Sequence, residues 1–369
     1  MKGAGYTADE ADGLRRDMAS WRRNGRLARH QHKLLAGFRA RGIDDAFAEK
    51  LYKQIHGFAE YGFPESHAAS FAILVYASAW LKVHHPAAFA CALMNSQPMG
   101  FYSASSIVQD AQRHGVVVRT PDVAASDWDS TLEGDPPALR LGLREIHGLA
   151  EKNAEAVVAA RRARAFASIE DLVARTHLPQ RDLEALAEAG ALASIVPERR
   201  HAMWASRAPR APGLFEGKAI EEPRAITLAP MPGYQQLVLD YERLGLSVSD
   251  HPMRHVRAEM KKKHGVVTAE ALARLPHGAA VTVAGLVIGR QRPDTKTGVT
   301  FVTLEDETGV VNLVVWRDVF DAHWQVARHA TAMIVRGTIQ REATVIHVVT
   351  HRIEPLLFDA IEVRSRDFH

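Results

Sequence analysis

The sequence predicts a multidomain α+β protein, and three observations support this fold class. The apolar residues from Asp9 to about Gln112 recur at helical spacing, residues 207–232 are rich in proline, and residues from Ala279 to Val349 alternate with period two. With 47% hydrophobic and 24% charged residues in 369, the chain has the composition of a globular protein rather than a disordered one. We therefore expect helices first, a linker, and a β domain last.

The helical part contains one unusually apolar stretch, Ala68 to Leu81. It ends at Lys82, short of the roughly 20 apolar residues that cross a bilayer, so we predict a buried helix with Ser66 as its N-cap. Pro86 predicts the start of another short helix, which extends to Leu93.

The chain contains one cysteine, Cys91, within an apolar run. An intrachain disulfide is therefore excluded, and burial as a small hydrophobe is expected. The first residues lack the apolar core of a signal peptide. These features predict a cytoplasmic protein without a membrane partner.

The middle of the chain predicts a compact helical module and then a linker. Its expected elements are the short strands Val116–Val118 and Ala138–Leu143, a turn at His147 and Gly148, two or three alanine-rich helices, and an amphipathic helix Gln235–Leu244. Five prolines between Arg207 and Pro232 indicate the linker.

The last part of the chain predicts a small β-barrel. The expected strands are Val281–Ile288, Thr300–Leu304, Val310–Trp316, Met333–Thr338 and Thr344–Val349, with a helix Asp318–Ala327 between the third and the fourth. Five strands with a helix in this position are the order of an OB-fold, which commonly binds single strands or oligosaccharides.

The net charge is only +3, but basic residues are concentrated near the start of the chain. Nine Lys or Arg and one acid, Asp17, lie between Arg15 and Arg41. Such a block is compatible with a phosphate-binding surface and also with an ordinary solvated face.

The segment from Gly57 to Ala72, followed by Trp80-Leu81-Lys82 and His84-His85-Pro86, resembles the fingers of bacterial C-family DNA polymerases, the family of the DNA polymerase III alpha subunit. The matching fingers motif consists of Tyr61, Gly62, Phe63, Ser66 and His67. By chemistry alone, the same residues could be a turn glycine, a helix cap and a core histidine.

Upstream, Gly13 to Arg23 resembles the segment in which this family places arginines close to the incoming nucleotide, and Arg15 and Arg16 are the matching positions. Guanidinium groups suit this role because they bind phosphate oxygens with bidentate hydrogen bonds. Arg22 and Arg23 are expected to contact DNA. The sequences of residues 19–23, 95–102 and 125–128 resemble the error-prone branch of the family.

Leu141 to Asn153 resembles the helix-hairpin-helix module of these polymerases, in which a glycine turn, here Gly148, directs backbone N–H groups to phosphates. Ala150 replaces the usual second glycine. The missing charge could come from Lys152, Arg161, Arg162 and Arg164, although an ordinary helical hairpin explains the same pattern.

In the barrel, Arg290, Arg292 and Lys296 cluster on the first hairpin, and Phe301 and Trp316 lie on the second and third strands. Basic residues beside stacking aromatics are how proteins bind single strands without sequence preference. Either aromatic could instead belong to the core.

Ala211 to Phe215 lies where the replicative relatives carry a peptide that binds the sliding clamp. Because Ala211 occupies the position of the usual glutamine, weak or absent clamp binding is expected. The resemblance also implies other mutagenesis proteins as partners.

Polymerase chemistry needs carboxylates that hold two metal ions, and the resemblance places these in a palm that precedes the fingers. We therefore assign no catalytic or metal-binding residue and no bound cofactor to this chain, and expect Mg²⁺ to be held by the palm of the complete polymerase. Asp122, Asp127 and Asp129 are interpreted as loop acids.

The resemblance implies the C-terminal part of an error-prone DNA-directed DNA polymerase, a nucleotidyltransferase of DNA replication and translesion synthesis at DNA damage, inactive without its palm. Its ligands would be deoxynucleoside triphosphate, primer-template duplex and single-stranded template. The predicted domains are partial fingers (1–133), a helix-hairpin-helix module (134–206), a linker with an amphipathic helix (207–264), an OB-fold (265–355) and a tail (356–369). A non-enzymatic DNA-binding accessory protein with the same two modules is the alternative.

Overall fold

The computed structural model describes residues 4–19, 28–61, 65–100, 102–208, 228–293, 298–343, 345–358, 361 and 366–368. For residues 15–19, 28–29, 55–61, 65–67 and 366–368 it describes the backbone but not the side chains. The chain divides into two compact units, Met1–Leu81 with Pro293–Gly298, and Lys82–Arg292 with Val299–His369.

The first unit begins with the helices α1 (Ala8–Ala19), α2 (Ala28–Arg39) and α3 (Asp45–Tyr61). Their apolar faces form a small core in which Leu14, Leu34 and Phe38 are almost completely buried. Close packing requires a glycine at Gly37, because a Cβ atom there would lie 1.9 Å from the carbonyl oxygen of Ala4. The predicted helical character of this region is confirmed.

Helix α4 (Glu65–His84) corrects two predictions. Because Glu65 is already helical, Ser66 lies in the first turn and is not the N-cap. The expected burial of residues 68–81 is wrong, since large apolar side chains such as Ile73 and Tyr76 are mostly exposed. An apolar composition shows that a helix can be buried, but burial also requires a surface that covers it. None of the described helices is long and apolar enough to span a bilayer.

Two helices and a small sheet open the second unit. They are α5 (Pro86–Asn95), α6 (Ala104–Arg113), β1 (Val118–Arg119), β2 (Thr131–Glu133) and β3 (Ala138–Arg140), with strand order β1-β3-β2. Asn95 joins α5 to the sheet, because its amide donates to the carbonyl oxygen of Ser130 at 2.9 Å and its side-chain oxygen accepts from Ser130 N–H at 2.8 Å. The Cys91 thiol donates to the same carbonyl at 3.2 Å and is only half-buried, less than the sequence predicts.

The predicted helical module follows a short 3₁₀ helix, Leu143–Glu145. It comprises α7 (Glu151–Ala163), α8 (Ile169–Thr176), α9 (Gln180–Glu188) and α10 (Arg199–Ser206). Its core contains Leu143, Val157, Leu183 and Leu186, and it is continuous with the buried face of α5 and α6. The small sheet contributes Leu139 to the same core, so these elements fold around one apolar centre.

Three helices precede the barrel: α11 (Gly233–Leu244), α12 (Pro252–His264) and α13 (Ala269–Leu272). Leu237 and Tyr241 of α11 and Met253 of α12 pack against Ala284 and Ile334 on the outside of the barrel. This part of the predicted linker region is therefore an ordered layer, while residues 209–227, including the clamp-peptide position, lie outside the described residues.

The last five long strands form the predicted closed barrel. They are β4 (Ala280–Gln291), β5 (Thr300–Asp306), β6 (Gly309–Val315), β7 (Ala332–Glu342) and β8 (Val345–Pro355). The order β5-β6-β8-β7-β4 closes because β4 also pairs with β5, and β6 and β8 are parallel. Strand β9 (Arg366–Phe368) adds to β4. Valine and leucine side chains fill the interior, among them Val283, Val302, Leu304 and Val335. The OB-fold prediction is confirmed.

The connection between β6 and β7 differs from the prediction of one helix. It contains two short helices, α14 (Arg317–Ala322) and α15 (Trp324–His329). Trp316 lies beyond the end of β6 and is the N-cap residue of α14, so its predicted place on the third strand is wrong by one residue. This places its side chain at the barrel rim.

Candidate nucleic-acid interface

The outer surface of β5 presents an aromatic side chain to solvent. Phe301 is 38% exposed, pairs across the sheet with Gln291 of β4 and Val314 of β6, and is therefore not a core residue. Thr303 follows on the same face because side chains alternate along a strand. Sequence reasoning missed the polar neighbours Gln291 and Thr303 as interface residues. The period-two pattern around Phe301 could have indicated them, because it shows which residues share its face.

Trp316 and Arg292 add to the exposed surface of the barrel. Trp316 is 45% exposed, so it too lies outside the core. The guanidinium carbon of Arg292 lies 5.2 Å from the ring centroid of Phe320, a cation–π distance that orients an exposed cation. Aromatic faces and an arginine of this kind can stack bases and neutralise phosphates.

Arg290 has a different environment from the one the sequence suggested. The residue is buried, its Nε donates to the carbonyl oxygen of Ala327 at 2.8 Å, and its Nη2 donates to the carbonyl oxygen of Ala330. These bonds satisfy carbonyls at the C-terminal end of α15. The structure thus gives Arg290 a role in holding α15 against the barrel.

The hairpin turn between the 3₁₀ helix and α7 contains Gly148. Its φ of 91° lies in the left-handed region, which favours glycine. The turn is exposed, and its preceding amide, His147 N–H, donates to the carbonyl oxygen of Arg243 at 2.7 Å, which fixes the turn to α11. Lys152, in the first turn of α7, is also exposed and adds positive charge beside Gly148.

Ala150 is the N-cap residue of α7, but its methyl group cannot accept a hydrogen bond. The side chain of Asp182, in α9, caps the helix instead. The Asp182 carboxylate accepts from Ala150 N–H at 3.4 Å and from the amide of Asn153 at 2.5 Å. Sequence reasoning missed this residue, since nothing near Ala150 in the chain indicates its distant partner.

Arg161 and Arg162 are neighbours in α7 but have opposite environments. The Arg161 side chain is 14% exposed, and it donates to the carbonyl oxygen of Ser126 and to Asp127, each at 2.5 Å. Arg162 is 70% exposed and lies 3.7 Å from Asp127. Arg161 therefore supports the loop before β2, and Arg162 is accessible to a phosphate.

The loop acids have structural partners. Asp129 pairs with Arg144 at 2.7 Å, and Asp122 accepts from Ala124 N–H at 2.7 Å. No group of three or more His, Cys, Asp or Glu side chains among the described residues could hold a metal ion.

Within the hairpin, Glu145 is the residue whose pKa differs most from its ordinary value. Burial, together with the negative charge of Asp129, raises the pKa of Glu145 to about 7 against the opposing effect of Arg144. The sequence gives no sign of this, because the pKa depends on what covers the carboxyl group.

The residues assigned to the fingers are only partly described. Arg15 and Arg16 lie in α1, Tyr61 ends α3, and Ser66 and His67 lie in the first turn of α4, all with side chains that are not described. The remaining predicted residues lie outside the described residues: Arg22, Arg23, Gly62, Phe63 and Lys296.

Two family models match the chain. Residues 115–202 match a helix-hairpin-helix motif, and residues 281–356 match an OB-fold nucleic acid binding domain. These matches fall on the hairpin of Gly148 and on the barrel with its exposed aromatics. The fold and the candidate interface therefore define a nucleic-acid-binding protein with these two modules.

Curated relatives specify the class further. The chain is 49% identical to the error-prone DNA polymerase of Alkalilimnicola ehrlichii over 99% of its own length and 36% of the relative. It is 47% identical to that of Pseudomonas paraeruginosa, with the same coverage, and 49% identical to that of Anaeromyxobacter dehalogenans strain 2CP-C, over 33% of that protein. The chain spans about a third of the length of these relatives. The predicted resemblance to the error-prone branch of the bacterial C-family DNA polymerases is confirmed over 99% of this chain.

Proposed function

We propose that this chain is the C-terminal part of an error-prone DNA-directed DNA polymerase and that it binds the DNA on which the polymerase acts. The observation that supports this most strongly is identity of 46–49% along essentially the whole chain to proteins of that name. The same observation favours a polymerase part over an independent DNA-binding accessory protein. Translesion synthesis at damaged DNA, in the cytoplasm, is the corresponding cellular role.

The two modules divide the DNA contacts between them. The exposed face with Phe301, Trp316 and Arg292 suits a single-stranded template, because stacking and phosphate contacts need no particular sequence. The exposed turn at Gly148, with Lys152 and Arg162, suits the backbone of primer-template duplex.

The chemistry itself requires further parts. We expect Arg15 and Arg16 to bind the triphosphate of the incoming nucleotide, and palm carboxylates outside this chain to hold Mg²⁺. The chain alone should therefore not extend a primer. Other mutagenesis proteins are proposed as partners, and clamp binding is expected to be weak because Ala211 replaces the glutamine.

A chimera tests the proposal. The matching third of the Alkalilimnicola ehrlichii polymerase is replaced by this chain, and templated primer extension is measured with Mg²⁺ and all four nucleotides. We expect extension by the chimera and none by the isolated chain. A folded chimera that binds primer-template but does not extend it would refute the polymerase assignment, and robust extension by the isolated chain would refute the assignment of the palm.

A further inference from the structure

A cavity of about 440 Å³ lies in the second unit between helices α5 and α6 and strands β4 and β5. Phe89, Leu93 and Ile107 line it from the helices, and Ile288 lines it from the barrel. Its size is typical of small-ligand sites, which combine apolar walls with a few polar groups. No role assigned above uses it.

A buried carboxylate, Glu305 of β5, lines this cavity. The residue is 1% exposed, and its Oε2 has no hydrogen-bond partner among the described residues. Arg113 Nη1 forms an ion pair with Oε2 at 3.7 Å, a distance too long for a hydrogen bond. His251 Nε2 lies 3.9 Å from Oε1 and is itself unpartnered. A buried acceptor without a donor is unfavourable, so a ligand that brings N–H donors would satisfy it.

Cations lie at the same cavity. Lys82, Arg113 and His114 line it, and of its two acids Asp110 pairs with Lys82 at 2.9 Å whereas Glu305 lies 3.7 Å from Arg113. A ligand with N–H donors at one end and a phosphate at the other would match Glu305 and these cations.

The cavity also adjoins the proposed single-strand surface. Phe301, Thr303 and Glu305 point outward from β5 at successive alternate positions, about 7 Å apart. Thr303 lines the cavity, whereas Phe301 is exposed before it. A strand stacked on Phe301 would therefore bring its neighbouring nucleotide to the cavity.

We propose that this cavity binds an unstacked guanine base, with its N1–H and N2 amino groups donating to Glu305 and its phosphate near Lys82 and Arg113. Guanine fits because it presents two adjacent N–H donors to the two oxygens of a carboxylate. Adenine and cytosine place an acceptor beside their amino group, and thymine has one N–H between two acceptors. The guanine can belong to a strand bound on the barrel or to a free nucleotide. The first of these two sources rests on the proposed function of the barrel.

The test measures binding of the purified chain to fluorescent oligonucleotides by anisotropy. The probes are a short oligothymidylate, the same strand with one central guanine, and the same strand with hypoxanthine, which lacks the amino group. We expect the guanine strand to bind about tenfold tighter than the other two, within the range for one bidentate base contact. Titrations with dGMP and with dTMP test whether the cavity binds a free nucleotide. We expect dGMP to bind and dTMP not to bind.

Two variants separate the site from the strand surface. Glu305→Gln removes the carboxylate, and Leu93→Phe narrows the cavity from helix α5, so each should abolish the guanine preference while oligothymidylate still binds. Glu354→Gln, which changes a carboxylate of β8 outside the cavity, should keep the preference. Thermal unfolding checks that each variant is folded.

Equal affinity for the three strands together with no dGMP binding would overturn the proposal, as would a guanine preference that survives Glu305→Gln. If dGMP binds and Glu305→Gln removes this binding, while no strand binds, the cavity assignment stands and the proposed function of the barrel fails. If oligothymidylate binds without any effect of guanine and dGMP does not bind, the barrel function stands and the cavity assignment fails.

Discussion

Replacing Glu145 by glutamine should remove a pH-dependent loss of stability from the hairpin. The pKa of Glu145 rises from its ordinary value of 4.5 to about 7 because the carboxyl group is buried near Asp129. Between these two values the folded state binds more protons than the unfolded state, so the free energy of unfolding falls as pH rises. The destabilisation caused by the ionised Glu145 is fully present above about pH 7 and absent below about pH 4.5. At about 1.4 kcal/mol per pKa unit, this difference corresponds to a ceiling of about 3 kcal/mol.

The assay is chemical unfolding of the wild-type chain and of Glu145→Gln at several pH values from 4 to 8. We expect the variant to be more stable than the wild type at pH 8 by up to about 3 kcal/mol, and equally stable at pH 4. Glu155→Gln, which changes an exposed carboxylate of α7, is the matched control and should show no such difference. A constant difference between Glu145→Gln and the wild type across the whole range would refute the reasoning, because it would show that the carboxyl group does not titrate there.

Three further predictions concern DNA and nucleotide. Phe301→Ala should weaken single-strand binding by about tenfold, the loss of one stacked base, and unchanged anisotropy titrations would remove Phe301 from the interface. Arg292→Glu should weaken single-strand binding more than duplex binding, and Lys152→Glu the reverse, both steeply dependent on salt; equal losses on both substrates would contradict the division between the modules. In the chimeric polymerase, Arg15→Ala or Arg16→Ala should lower kcat/KM for nucleotide by roughly tenfold to a hundredfold, from about 1.5–3 kcal/mol per lost charge-assisted bond. Normal nucleotide kinetics with weaker primer-template binding would instead place these arginines on the template.

The sequence by itself determined the fold class. The change from helical periodicity to period two predicted a helical part and a final barrel, and strands of alternating apolar residues with one helical insertion predicted the OB-fold. These features are local: a strand that buries one face must alternate, and a glycine turn such as Gly148 needs a left-handed φ. The motifs also predicted the resemblance to error-prone DNA polymerases, which extends over 99% of the chain.

Only the tertiary structure decided what each side chain contacts. Arg290 and Arg292 are nearly adjacent in sequence, yet one binds the carbonyls of α15 and the other is exposed beside Phe320. Arg161 and Arg162 differ in the same way, because successive helical residues face different directions. The charge of a side chain is local information, whereas its partners come from distant parts of the chain.

Burial depends on distant parts of the chain for the same reason. Residues 68–81 are apolar enough for a core, but many of their large side chains are exposed, because composition does not supply a covering surface. Glu305 is the opposite case, a charged residue in a strand that α6 and α12 cover. Alternation placed Glu305 on the outward face of β5, and the helices packed over that face made it a buried carboxylate at a cavity.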